Sequence, residues 1–446
     1  MYPYVHRDKF YHDVKDERTI MIITGLPDED PENPLVLTNE DLYEEGYELY
    51  EAIMDSESFS FQNCISSYVK FKTIYITQPI KDCYISIYKI INNDVQNPIP
   101  IGKFWADSDA SYITQDGKFQ DILAYDDLDS VINCDPKAVT ALYNDLQFPV
   151  TIKNMRDYIL GQLGIEVEET ALICDDILVP RQISEEDLIS GQDILKCIAE
   201  INGVFPHIGK DGILHWISLD VGGIHDVGLY PSSTTYPGET TYPSPGYSGT
   251  FVNIYRNYLK QGSTIYANYE TQKPDGIQIR NENNETAYFL NQANSINPYT
   301  IIGNFLCYSL TQGQYQIIAE RLYKKIRNIC YVPFQSVKMA DPCLEVGDRI
   351  CVHTEEGTEI LTYIFSKHTN NLAVSFEDII ANGTYWLPQY DKNSNATSAK
   401  LKNLDQRMGN VEKSGSGPLQ IMSVAELPAS PQLNVLYLIQ GTFEES

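Results

Sequence analysis

The chain has 446 residues, 43% apolar and 21% charged, and its 32 Lys and Arg stand against 61 Asp and Glu for a net charge of −29. This composition excludes a disordered chain, and its sign argues against a nucleic-acid binder, because such a surface repels phosphate. The length predicts two to four domains.

Tyr (32) outnumbers Phe (15), which favours β-rich folds and polar-tipped aromatic surfaces. The plain reading of the acidity is solubility; a sharper one is a surface that nucleic acid passes without sticking. The nine cysteines occur singly, with no C-x-x-C, as expected of reduced, buried thiols made in a cytoplasm. Met1 to Phe10 has no apolar core of a signal peptide, and no apolar run reaches the roughly 18 residues that span a bilayer.

In chain order, Ile20 to Ile23 predicts a short strand. Thr38-Asn39-Glu40-Asp41 reads as a capping box, with Leu42, Leu49 and Ile53 on one helical face. Strands are predicted within Phe59 to Thr77, Tyr84 to Ile91, Pro100 to Trp105 and Phe119 to Tyr125, closing a β-rich block spaced like a barrel or sandwich.

Asp135-Pro136 then predicts a capped helix with Val139, Leu142 and Leu146 buried. Thr151 caps a second helix, with Ile152, Met155, Ile159 and Leu163 inward and Gly164 as its stop. Ser190 to Asp193 is another capping box, feeding Ile194, Leu195, Ile198 and Ile201 before Gly203. Val204 to Ile208 and Ile213 to Ile217 flank Gly209-Lys210-Asp211-Gly212 as a hairpin.

Tyr230 to Tyr247 is low in complexity and reads as a loop or linker. Strands follow near Thr264 to Asn268 and Gly276 to Ile279. Thr311 to Ile329 predicts the best helix, with Tyr315, Ile318, Ala319, Leu322, Ile326 and Ile329 on one stripe. Next come strands to Val337, then Leu361 to Phe365 and Leu372 to Phe376. Between them, Asp341-Pro342 and Gly347-Asp348 mark two turns that restart a strand at Arg349. Leu401, Leu404, Met408 and Val411 recur at 3-4-3 spacing as a short coiled-coil seam, and Val435 to Ile439 is a final strand.

Few constellations point to chemistry. His207, His215 and His225 lie near Asp211, Asp220 and Asp226, and His207 and His215 could face each other across the hairpin. The plainer reading is surface or interface histidines. The pairs Asp175-Asp176 and Glu185-Glu186-Asp187 are expected by chance among 61 carboxylates and read as solvated. No phosphate loop, nucleophile elbow or zinc-protease signature occurs, so an enzyme gains no support and no cofactor or metal is expected.

The ordered motifs nevertheless resemble a family. They are Leu37 to Asp41, Phe59 to Ser67, Ile99 to Phe104, Ile122 to Asp126, Phe148 to Thr151, Gly191 to Gly203 with the Asp211-Gly212 hairpin, and Tyr331 to Phe334 ahead of the Pro342 and Gly347-Asp348 turns. This series is similar to the tail-hub proteins of long-tailed phages: the tail-tip (tail-associated) protein of siphophages, related to the baseplate hub of contractile-tailed phages. It covers about residues 35 to 385. Gln62 departs from it, standing where relatives often carry Gly.

The resemblance implies an α+β, mainly β fold with two β-barrel-like hub domains and α/β insertions, then a short coiled coil and a small C-terminal strand unit. The expected division is a hub domain over 1–130, an α/β module over 131–229, a second barrel domain over 230–390, and a linker, coil and docking segment over 391–446. Asp341, Pro342, Gly347 and Asp348 would shape the second barrel, and Leu401, Leu404, Met408 and Val411 would form a trimer coil. It further implies a structural virion protein made in the host bacterial cytoplasm. This would be a homotrimer at the distal end of the tail tube, joining the distal tail or tail-tube ring, the tape-measure protein and a fibre or receptor-binding protein. Such a hub would gate DNA passage during ejection without binding DNA. Two other readings remain: a tail-associated cell-wall peptidase or glycosidase centred near His207 and His215, and a glycan-binding adhesion module using Tyr230 to Tyr247.

Overall fold

Alternation at period two buries Met21 and Ile23 on one side of one strand and Ile85 and Ile87 on the same side of another, and these two pair antiparallel from Glu17–Ile91 to Thr24–Tyr84. The computed structural model describes residues 16–27, 33–114, 117–180, 188–219, 251–354, 356–372 and 375–388, with the backbone of 420–424 and 435–439.

The first stretch holds β1 (Glu17–Thr24), β2 (Leu35–Thr38), β3 (Glu48–Ala52), β4 (Tyr68–Thr73), β5 (Cys83–Ile91), β6 (Ile99–Ala106), β7 (Ser111–Ile113) and β8 (Gln120–Tyr125). A helical stretch follows: α1 (Leu128–Ile132), α2 (Pro136–Asn144), β9 (Val150–Thr151), α3 (Ile152–Gln162), β10 (Leu178–Val179) and α4 (Gly191–Asn202). It ends in the hairpin of β11 (Phe205–Ile208) and β12 (Leu214–Ile217). After it come β13 (Val252–Ile254), β14 (Ile265–Tyr266), β15 (Gly276–Arg280), β16 (Thr286–Leu290), β17 (Pro298–Ile301) and α5 (Gln312–Ile326). The remaining strands are β18 (Phe334–Met339), β19 (Arg349–His353), β20 (Glu359–Tyr363), β21 (Ser366–Asn370), β22 (Phe376–Ala381), β23 (Gln420–Val424) and β24 (Val435–Ile439). The chain is α+β and mainly β.

Among the described residues the largest sheet has twelve strands, in the order β14-β18-β22-β21-β3-β4-β8-β6-β5-β1-β2, with β7 on β8. Its two halves meet where β3 pairs with β21, so strands from 1–130 and 230–390 share one sheet. Two cores lie under it. One gathers Met21, Leu37, Tyr47, Leu49, Phe71 and Ile85, with Leu372 from the far half. The larger one joins the helices and hairpin to Phe59, Phe61, Tyr331 and Phe365.

The capped helices match their residues. Asp135 accepts the Lys137 N–H ahead of α2, and Thr151 accepts the Asn154 N–H ahead of α3. Both Ser190 and Thr311 form reciprocal capping boxes. Gly203 ends α4 at φ +57, a left-handed stop that costs glycine little. On α5 the buried stripe is Tyr315, Ile318, Ala319, Leu322 and Ile326. On α2 it is rotated to Val139, Thr140 and Tyr143, with Leu142 and Leu146 only half-buried.

Two expectations are corrected. Thr38 does donate N–H and O–H to Asp41 Oδ2 at 2.9 and 3.0 Å, but these bonds close a turn, not a helix. The segment beyond it becomes β3, because Tyr47, Leu49 and Glu51 alternate inward while Glu48 and Tyr50 face out. The strand expected over Leu372 to Phe376 is displaced: Asn371 takes φ +66 as the chain leaves β21, and β22 starts only at Phe376. The seam at Leu401, Leu404, Met408 and Val411, the loop at Tyr230 to Tyr247, His225 and the Glu185 cluster lie outside the described residues.

Candidate functional site

The Asp341 to Asp348 turns sit at the junction of both halves and the hairpin. Asp341 Oδ1 accepts the Cys343 N–H at 2.8 Å, and Asp348 Oδ2 accepts the Glu345 N–H at 3.1 Å, so each aspartate fixes its own turn. Gly347 donates to the Ile364 carbonyl at 2.7 Å with φ +89. A Cβ there would stand 2.4 Å from Cγ2 of Ile217 on β12, so the position requires glycine both for its dihedral and for the hairpin's close approach.

Lysines bind the turn's carbonyls. Lys210, from the hairpin loop, donates to Pro342 O at 2.7 Å and Leu344 O at 3.3 Å. Lys367 on β21 donates to Leu344 O at 2.8 Å and pairs with Glu51 on β3 at 2.7 Å. Two more pairs flank them, fully buried Lys338 with Glu377 at 2.5 Å and buried Lys89 with half-buried Glu17 at 2.6 Å. Burial alone would raise the Glu51 carboxyl, but Lys367 and Lys210 hold it below the usual carboxylate range. Burial opposes the Lys367 charge, and Glu51 with Glu377 outweighs that to raise its pKa. This is a charge-compensated joint between three parts of the chain.

Beside it lies a cavity of about 50 Å³ lined by Glu51, His207, Lys210, His215 and Glu345. That is room for a few waters, not for a peptide or sugar. The hairpin places His207 directly opposite His215, as the spacing suggests, but in different surroundings. His207 is buried, which pushes its pKa down to about 4 against the opposing pull of Glu51 and Glu345. Its Nδ1 has no hydrogen-bond partner among the described residues. His215 is held at both ring nitrogens, by Glu168 at 3.0 Å and Asp211 at 2.9 Å, so the two carboxylates fix the orientation of its ring. Asp175 and Asp176 are not merely solvated: Asp175 pairs with buried Arg156 at 2.9 Å, and Asp176 pairs with Arg321. Among the described residues no group of three or more His, Cys, Asp or Glu is arranged to hold a metal.

A second polar centre was not anticipated. Glu200 of α4 is buried, and its Oε2 accepts from Gln62 at 2.8 Å and Asn304 at 2.9 Å. Burial pushes its pKa up to about 8 despite those bonds. Gln62 also donates to the Ile302 carbonyl at 2.9 Å, so the glutamine that departs from the resembled pattern ties three segments together. The available signal was a carboxylate inside the apolar run Ile198 to Ile201, and the same holds for Lys338 between Val337 and Met339. All nine cysteines are described and none forms a disulfide; seven are buried. Among the described residues no helix is long and apolar enough to cross a membrane.

No family model matches the chain, and no curated protein matches it. Solved structures similar to it include phage tail proteins. A 43 kDa tail protein of prophage MuSo2 from Shewanella oneidensis is 11% identical at TM-score 0.45, covering 82% of this chain and 98% of that one. A tail protein from Neisseria meningitidis MC58 is 9% identical at TM-score 0.45, covering 83% and 98%. The prophage tail protein gp18 from Listeria monocytogenes EGD-e is 10% identical at TM-score 0.41, covering 87% and 99%.

Proposed function

We propose that this chain is a structural component of a phage-type tail, acting as the hub at the distal end of the tube. The observation that carries the reading is the joint around Asp341 to Asp348. Its lysines spend their donors on turn carbonyls and on buried carboxylates, which suits a frame that transmits load. The motif order over residues 35 to 385, similar to tail-hub proteins, agrees with it. In this reading the chain is a homotrimer that joins the tube or distal tail ring, the tape-measure end and a fibre or receptor-binding protein, and gates DNA passage. The expected four-part division and the coil at Leu401 to Val411 belong to the same proposal, as do the geometric roles of Asp341, Pro342, Gly347 and Asp348.

The acidic balance fits a channel along which DNA slides without binding. Imaging of particles that contain this chain tests the proposal. Three copies on the tube axis are expected. A stable single copy in assembled tails, or a location off the axis, would overturn it.

A further inference from the structure

The outward face of the large sheet carries a row of cross-strand rings that the proposed function does not use. His368 on β21 lies opposite Tyr50 on β3, with ring centroids 6.2 Å apart. Tyr50 lies opposite Tyr68 on β4, stacked at 5.4 Å. Tyr68 faces Tyr125 on β8 at 6.2 Å, Tyr125 is opposite Trp105 on β6, and Trp105 meets Tyr84 on β5 at 4.8 Å. Six adjacent strands thus contribute one ring each. The alternate residues, such as Leu49, Val69, Phe71 and Ile122, are buried on the other face.

The row is not core, because Trp105 is 38% exposed and the others are half-buried. Tyr50 and Tyr68 stack, and the His368–Tyr50, Tyr68–Tyr125 and Tyr84–Trp105 contacts are edge-on or tilted, so each contact covers part of a ring face. That geometry disfavours sugar stacking, which needs open ring faces, and suits a protein interface, where Tyr and Trp anchors dominate.

The charge along the row chooses the partner. Asp55 lies by Tyr50, Glu48 by Tyr68, Asp107 and Asp129 by Tyr125, and Asp127 by Tyr84. Of these five, Glu48 is already paired with Lys70 and Asp127 has Lys103 near it, over the Tyr84 ring at 4.2 Å, which leaves Asp55, Asp107 and Asp129 to carry the charge of the row. A second copy docking through the same row would bring these same carboxylates face to face, which disfavours self-association at this surface.

We propose that this tyrosine and tryptophan row is a docking surface for a protein partner that presents lysine or arginine side chains with apolar residues between them. Cations would reach the carboxylates while their stems pack on ring edges. The inference is independent of the hub reading.

The test uses the full chain and two labelled peptides, one alternating lysine with valine and one alternating glutamate with valine. The lysine peptide should bind and the glutamate peptide should not. Trp105→Ser and Asp129→Asn should each weaken that binding roughly tenfold or more, whereas Glu320→Gln on α5 should leave it unchanged. Three results would overturn the proposal: no binding of the lysine peptide, binding that both row variants leave intact, or wild-type oligomers that Trp105→Ser turns into monomers.

Discussion

Lys338 and Glu377 are register partners across β18 and β22, with Nζ and Oε1 2.5 Å apart and both side chains 1% exposed. Removing one member leaves a buried charge without its partner, whereas removing both removes the demand. Lys338→Met should therefore lower unfolding stability by about 3–5 kcal/mol, and the double change Lys338→Met with Glu377→Leu should recover most of that. Urea titration of the two variants decides it; a double variant as unstable as the single one would refute the account.

His207 makes stability depend on pH. Its folded pKa, about 4, lies below the ordinary 6.5, so between these values the unfolded chain binds the proton and the folded chain does not. Stability is lost as pH falls from 6.5 towards 4, with an upper limit of roughly 3 kcal/mol. Thermal melts of His207→Gln should show a shallower fall than wild type across that window. Parallel curves would show that His207 is not responsible.

Glu200 works in the opposite sense. Its folded pKa, about 8, is raised above the ordinary 4.5, so the folded state holds a proton the unfolded state releases, and stability drops as pH rises between them. Glu200→Gln keeps a carbonyl for Gln62 and Asn304 without the charge. It should stabilise the protein by a few kcal/mol at pH 8 and by little at pH 4.5. Denaturation at the two pH values measures the difference.

Gly347 and Gly357 both have positive φ, +89 and +78, but only Gly347 has a neighbour in the way, since nothing lies within 4 Å of a Cβ on Gly357. Alanine at Gly357 should cost about 1 kcal/mol, the conformational term alone. Alanine at Gly347 should cost at least about 2 kcal/mol more, because Ile217 and the hairpin must shift. Equal losses at the two sites would remove the packing argument for the turn.

Local chemistry made much of this fold readable. Ser190 with Asp193, and Thr151, announce helices because a cap and its partner lie within four residues of each other, and the stripe from Tyr315 to Ile326 announces α5 by its period. Asp211-Gly212 announces the hairpin for the same reason. The segment at Leu42 to Ile53 misled because its apolar spacing fits a helix as well as a strand, and the partner that decides, β21, lies some 300 residues away. The joint was legible as two turns but not as a charge network, since Glu51, Lys210, Lys338, Lys367 and Glu377 meet only after folding. The ring row is the extreme case: Tyr50, Tyr68, Tyr84, Trp105, Tyr125 and His368 share no spacing in sequence.

The β3–β21 pairing also fixes an order of events during synthesis. Strands β1 to β8 leave the ribosome long before Ser366–Asn370 exists, so β3 waits with one side of its backbone unsatisfied. A chain cut short before residue 366 would keep that edge open, beside a face rich in tyrosine. Such fragments should pair with one another through β3, and aggregation would mark an unfinished chain before any partner could take it up.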